Sequence, residues 1–204
     1  MLSATLSTLF FVAAALGAPT TPDPTATTST TTTSTTAFPT TALGGSTKPG
    51  ANGYHIVTKD PTTGKAYCLD LRRGKFEDQA PLQMYGCDTG NNPNQIWHMA
   101  GNTAPNQDGL QITITNPKNK DEVWCLTNSE PNYNRAHVRI THCNPTDQSQ
   151  LWKYKVKDGE PNHIYNKWGL AMDVMESNWI DGADIQVFRN GDTNPNQHWD
   201  FVPR

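Results

Sequence analysis

Two groups of side chains recur along this 204-residue chain with the same make-up and nearly the same spacing. The first is Asp70, Gln83, Tyr85, Asn94 and Gln95; the second is Asp173, Gln186, Phe188, Asn196 and Gln197. The interval from Asp70 to Gln83 equals that from Asp173 to Gln186, and in both groups the aromatic stands next but one after that glutamine. An ionised carboxylate accepts hydrogen bonds, a carboxamide both donates and accepts, and an aromatic ring offers a flat apolar face. Such a set can hold a polar molecule that has one apolar side, by non-covalent contacts alone.

Covalent chemistry has no comparable candidates. His55, His98, His137, His142, His163 and His198 show no His-Glu-x-x-His or other ligand spacing. His142 beside Cys143, and His198 just before Trp199, read as strand residues. No Gly-x-Ser-x-Gly elbow and no glycine-rich phosphate loop is present. Asp and Glu together number 19, but no spacing singles out a pair for glycoside hydrolysis. The expectation is a protein without catalysis, cofactor or bound metal. The net charge is -3, and Lys and Arg do not cluster with aromatics. Neither a nucleic-acid stripe nor a membrane-binding helix is expected, and the expected state is a monomer.

The elements that must position these groups also repeat. Gln95-Ile96-Trp97, Gln150-Leu151-Trp152 and Gln197-His198-Trp199 each close a stretch of similar length. Cys68-Leu69-Asp70, Cys125-Leu126-Thr127 and Ala171-Met172-Asp173 lead them, with nearly equal intervals from Asp70, Thr127 and Asp173 to the closing Gln. A period of this kind means one supersecondary unit copied around a shared core. Helix-period segments are nearly absent. Short alternating runs predict strands near 54–58, 67–71, 81–85, 95–99, 110–115, 123–127, 137–141, 150–156, 169–174, 184–188 and 197–202. Asp60-Pro61, Asn92-Pro93, Asn116-Pro117, Asp158-Gly159 and Asn194-Pro195 supply the turns between them. Four strands per copy in three copies predict an all-β fold of twelve strands closed around a pseudo-threefold axis.

Residues 1–17 carry no charged side chain and include the apolar run from Leu9 to Ala15, too short to span a bilayer. They are expected to be a signal peptide, so a secreted, extracellular chain is predicted. Residues 19–49 are dominated by Thr, with Ser and Pro, and only Asp23 and Lys48 are charged. A segment with so little to bury does not offset its ordering entropy. Residues 18–50 read as a linker, O-glycosylated or bare. Asn144-Pro145-Thr146 is blocked as an N-glycosylation acceptor by its proline. The remaining stretch, 54–204, is long enough for one domain with a real core. Cys68, Cys87, Cys125 and Cys143 allow three pairings. Nearly equal separations inside successive repeats favour Cys68–Cys87 and Cys125–Cys143. Zinc binding is the other reading of four cysteines, but no Cys-x-x-Cys pair is present.

With three Gln-x-Trp closures, matched anchors and two cysteine pairs, residues 54–204 resemble the ricin-B-type lectins. The resemblance implies a β-trefoil with lobes at about 54–106, 107–158 and 159–204. It implies that Trp97, Trp152 and Trp199 pack in the core. It also implies that the two recurring groups are sugar sites, each with the aspartate under the hydroxyls and the aromatic under the pyranose. Galactose or N-acetylgalactosamine on one hand, and xylan on the other, are the ligand classes it suggests.

The middle lobe departs from the pattern as a block. Thr127 replaces the aspartate, Arg139 the glutamine, Thr141 the aromatic and Ser149 the asparagine. Ordinary binding should be lost there, leaving a scaffold. A blander reading keeps Asp70 and Asp173 as turn caps and Tyr85 and Phe188 as half-exposed strand residues. Phe76, Tyr133 and Trp179, at the same offset after each anchor, are expected to pack, with Trp179 the candidate for an extra subsite. The alternative function is a secreted trefoil acting through protein–protein contact, as a protease inhibitor or effector.

Overall fold

A computed structural model describes residues 53–191 and 193–204. The expected signal peptide and linker lie outside the described residues. The twelve strands are β1 (Tyr54–Lys59), β2 (Ala66–Leu71), β3 (Ala80–Gly86), β4 (His98–Gly101), β5 (Leu110–Thr115), β6 (Val123–Asn128), β7 (Val138–His142), β8 (Trp152–Lys155), β9 (His163–Asn166), β10 (Leu170–Val174), β11 (Ile185–Arg189) and β12 (Asp200–Pro203). They form three lobes of four, β1–β4, β5–β8 and β9–β12, and the fold is a β-trefoil.

Each lobe is built on an equivalent hairpin. β2–β3 sets Asp70 opposite Gln83, β6–β7 sets Thr127 opposite Arg139, and β10–β11 sets Asp173 opposite Gln186. Because side chains alternate along a strand, Gln83 and Tyr85 share one face of β3, and Gln186 and Phe188 share one face of β11. Other pairings tie the lobes together: β1 with β12, β3 with β7, and β8 with β9. One contiguous apolar core results, including Ile56, Leu69, Met84, Ile112, Leu126 and Ile140.

Two features depart from the sequence expectation. The Gln-x-Trp segments do not begin strands. Pro93–Gln95, Gln148–Gln150 and Pro195–Gln197 are single 3₁₀ turns, and β4, β8 and β12 start later. The side chains of Asn92, Asp147 and Asn194 cap these turns by accepting from the backbone N–H two residues on. Such a cap holds the turn against the extended alternative, and it swings each closing glutamine into the interior. β9 is the other departure, because all four of its residues are buried and the segment shows no alternation to read.

Trp97, Trp152 and Trp199 are all at most 1% exposed. Their indole N–H groups donate to the carbonyls of Leu69, Leu126 and Met172, each at 2.9 Å. Each lobe's closing turn is thereby tied to its anchor strand. Cys68–Cys87 and Cys125–Cys143 are disulfide-bonded, with Cα atoms 4.9 Å apart in both, and the described residues include no free cysteine. Each bridge fastens the chain just past β3 or β7 to its lobe.

Candidate functional site

In lobe one, Asp70 lies on β2 with only 4% of its surface exposed, at the floor of a hollow of 490 Å³. Its Oδ1 accepts from Gln83 Nε2 at 2.8 Å and its Oδ2 from Gln95 Nε2 at 3.1 Å. A carboxylate has about four acceptor positions, so each oxygen keeps a lone pair directed away from these amides. Gln95 is fully buried and does not line the hollow. It donates also to the Gly86 carbonyl and accepts from the Asp88 N–H, so it fixes Asp70 from behind. Tyr85 is 46% exposed at the rim. Asn94 lies against Gly74, where a Cβ would come within 2.9 Å of the Asn94 Oδ1. A left-handed glycine with φ +59 lets the amide sit there.

Lobe three repeats the arrangement in a hollow of 170 Å³. Asp173 Oδ1 accepts from Gln186 Nε2 at 2.8 Å, and Oδ2 from Gln197 Nε2 at 3.0 Å. Asn194 Nδ2 adds a long contact to the same Oδ2 at 3.4 Å. Gln197 is fully buried and is tied to the Arg189 carbonyl and the Gly191 N–H as Gln95 is tied in lobe one. Asn196 donates to the Ser177 hydroxyl at 2.7 Å. Phe188 is half-buried, and the Arg135 guanidinium lies over its ring, 5.6 Å from the centroid.

Burial pushes both aspartate carboxyls above their ordinary range, against the pull of their two glutamine donors in the opposite direction. The unfavourable desolvation is the larger effect in each. The fold thus holds two carboxylates where water solvates them poorly and keeps acceptor capacity facing outward.

Lobe two has a hollow of 530 Å³ with a different floor. The Thr127 and Thr141 hydroxyls bond each other at 2.7 Å, and Gln150 Nε2 donates to Thr141 at 2.7 Å. Arg139 does not line the hollow and donates to the carbonyl of Gln79, which does. Two hydroxyls take the place of the carboxylate, and no Tyr, Phe or Trp lines the hollow.

Sequence reasoning missed the residues supplied across lobe boundaries. Gly182 of lobe three lines the lobe-one hollow, Arg135 of lobe two lines the lobe-three hollow, and Gln79 of lobe one lines the lobe-two hollow. All three have positive φ, +91, +74 and +62, and each precedes a buried alanine: Ala183, Ala136 and Ala80. The triplet of left-handed residue and alanine was the available signal, but only the assembled lobes show which hollow each one meets. Of the three hairpin aromatics, Phe76 and Trp179 pack against the core, and neither lines these hollows. Tyr133 instead is 59% exposed, because its turn carries it away from the core.

The family profile described as "Ricin-type beta-trefoil lectin domain" matches residues 61–199. The Rhizoctonia solani agglutinin is 22% identical with a TM-score of 0.54, covering 75% of this chain and 96% of that one. The C-half of the earthworm R-type lectin, solved in complex with GalNAc, is 15% identical with a TM-score of 0.53, covering 74% of this chain and 99% of that one. An exo-β-1,3-galactanase from Clostridium thermocellum is 21% identical with a TM-score of 0.59, covering 76% of this chain but 31% of the enzyme. No curated protein sequence matches the chain. At these identities the structural likeness establishes the fold.

Proposed function

The chain belongs to the ricin-type β-trefoil lectin family, and from that premise we propose that it is a secreted, non-catalytic carbohydrate-binding protein with sugar sites in lobes one and three. The observation that carries the proposal is the twice-built unit of a buried aspartate, held by two glutamine amides, in a hollow that an aromatic ring also lines. Vicinal hydroxyls of a pyranose would donate to the outward lone pairs of Asp70 or Asp173, and the C–H face of the sugar would rest on Tyr85 or Phe188. Asn94 lines the lobe-one hollow with its amide toward a further hydroxyl, and the buried Asn196, whose Nδ2 donates to Ser177, offers its Oδ1 in lobe three. Gln95 and Gln197 act through the aspartates they brace. Galactose-type and xylan-type glycans are the ligand classes. A trefoil used only for protein contact would have no use for this duplicated set.

A glycan array probed with the full chain tests the proposal. Tyr85→Ala with Phe188→Ala removes both stacking faces and is expected to cost about 0.5–1.5 kcal/mol per site, or roughly 2- to 10-fold. Circular dichroism of the double variant should match wild type, since both rings lie at the rim. Equal array signals from the two proteins would sink the proposal.

Acidification provides a second test. A carboxyl raised by burial takes up its proton more readily in the folded chain than in the unfolded one. Its ionisation therefore costs stability at neutral pH, and that cost vanishes as pH falls through the raised value. Sugar binding runs the opposite way, because a protonated carboxyl has lost acceptor strength. Glycan retention should thus begin to fall, as pH is lowered, before the range in which exposed aspartates titrate is reached. Over the same fall in pH these two groups should not lower the melting temperature. Retention that persists unchanged to about pH 4 would contradict this.

A further inference from the structure

The two proposed sugar sites share their parts but differ at two backbone positions that the fold holds in left-handed conformation. One is the third residue after the aspartate: Arg73 in lobe one, with φ 59 and ψ 14, and Glu176 in lobe three, with φ 56 and ψ 22. The other comes from the neighbouring lobe: Gly182 at lobe one and Arg135 at lobe three. Since the backbone runs alike at both, the side chains distinguish the sites.

At the second position the difference is steric. A Cβ at Gly182 would stand 3.9 Å from the Gln83 Oε1, so a side chain there would grow beside the lobe-one site. Glycine leaves that wall empty, and the hollow measures 490 Å³. In lobe three the same wall carries Arg135, whose guanidinium covers the Phe188 ring, and the hollow measures 170 Å³. A cation over an aromatic face is itself favourable, so a sugar stacking on that face of Phe188 competes with Arg135. Asp173 also spends acceptor capacity on Asn194.

At the first position the difference is charge. Arg72 is engaged by the Gly182 carbonyl and by Asp184. Arg73 lines the hollow, is exposed, and makes no side-chain hydrogen bond or ion pair among the described residues. Its counterpart Glu176 puts the opposite charge at the rim of lobe three.

We propose that lobe one is the open site, taking a pyranose whose neighbouring substituent bears a carboxylate or sulfate that pairs with Arg73, whereas lobe three is shielded by Arg135 and, with Arg135 and Glu176 of opposite charge both lining its hollow, offers such anionic glycans no net attraction. This rests on the lectin reading above. The guanidinium suits planar or tetrahedral oxyanions by its paired donors, and a pairing so exposed should weaken with salt.

Calorimetry on the full chain tests it with matched probes: lactose against 3′-sulfated lactose, and xylotriose against its glucuronic-acid-substituted form. At low salt the anionic member of the pair that binds is expected to be favoured. Arg73→Glu should erase that preference, shifting the ratio of affinities by about 2- to 5-fold. The fold tolerates a glutamate in this conformation, since lobe three already holds one at Glu176. In an Asp70→Ala background, Arg135→Gly should tighten the remaining neutral-glycan binding by about 2- to 5-fold, the value of an exposed cation–π contact. Glycine is at ease at the φ of 74 found there. Neutral and anionic probes bound equally, a preference that survives Arg73→Glu, or no gain from Arg135→Gly would overturn the proposal while leaving the lectin reading intact. Failure of every probe to bind the wild-type chain would overturn both.

Discussion

Replacing either Asp70 or Asp173 with alanine is expected to lower retention on a glycan-coated surface by about 10²- to 10⁴-fold, while free monosaccharide still binds at the untouched site. Open, shallow hollows such as these give single-site affinities of roughly millimolar to tens of micromolar. Lobes related by a pseudo-threefold axis present their sites in different directions, so one small sugar cannot reach both. A dense surface can, because the second contact becomes intramolecular once the first is made. Each alanine leaves two glutamine amides short of an acceptor but also removes a carboxylate whose burial is itself costly. Thr127 and Thr141 show that a lobe can be closed over a neutral floor. A melting curve run beside surface plasmon resonance separates lost folding from lost avidity. Wild-type retention by either single variant would end the two-site reading. Asp70→Ala should also cost more monosaccharide binding than Asp173→Ala, because Tyr85 stands clear while Phe188 lies under Arg135.

Much of this arrangement was legible because a hairpin writes its register into local spacing. Asp70 and Gln83 face each other across β2–β3, and Asp173 and Gln186, at the same interval, do so across β10–β11. The disulfide pairs were legible for the same reason, since each closes inside one repeat. What could not be read was whatever depends on two lobes meeting. Gly182 and Arg135 reach hollows built by strands far from them in the chain, and no spacing rule connects them to Asp70 or Asp173. Gln95-Ile96-Trp97 was legible as a motif but not as a conformation. Its alternation looks like a strand, yet the Asn92 cap and the bond from Gln95 to Asp70 draw Gln95 into the Pro93–Gln95 3₁₀ turn, and only Ile96 and Trp97 are extended, with Trp97 bridged to Tyr54.

That same turn makes Trp97 the most consequential core position to probe. Its ring is fully buried, and its N–H ties it to the Leu69 carbonyl, one residue before the site aspartate. Trp97→Ala should destabilise the domain by about 3–5 kcal/mol, a fall in melting temperature of roughly 6–20 °C for a domain of this size. Given total stabilities of about 5–15 kcal/mol, the variant sits near the edge of folding. Trp97→Phe is the sharper test, because it keeps most of the packing and deletes the indole donor, leaving the Leu69 carbonyl without that partner at a cost of about 1–3 kcal/mol. If the tryptophan serves only to fasten the closing turn to β2, Trp97→Phe should melt earlier yet bind glycan as wild type does at room temperature. Were Trp97 instead a sugar platform like Tyr85, binding would drop while the melting temperature held. The 3₁₀ turn that places Gln95 under Asp70 is held at its other end by Trp97, so stability and site geometry share one anchor. Across Trp97→Phe, Trp97→Leu and Trp97→Ala, binding should be lost only to the extent that the domain unfolds at the temperature of the assay.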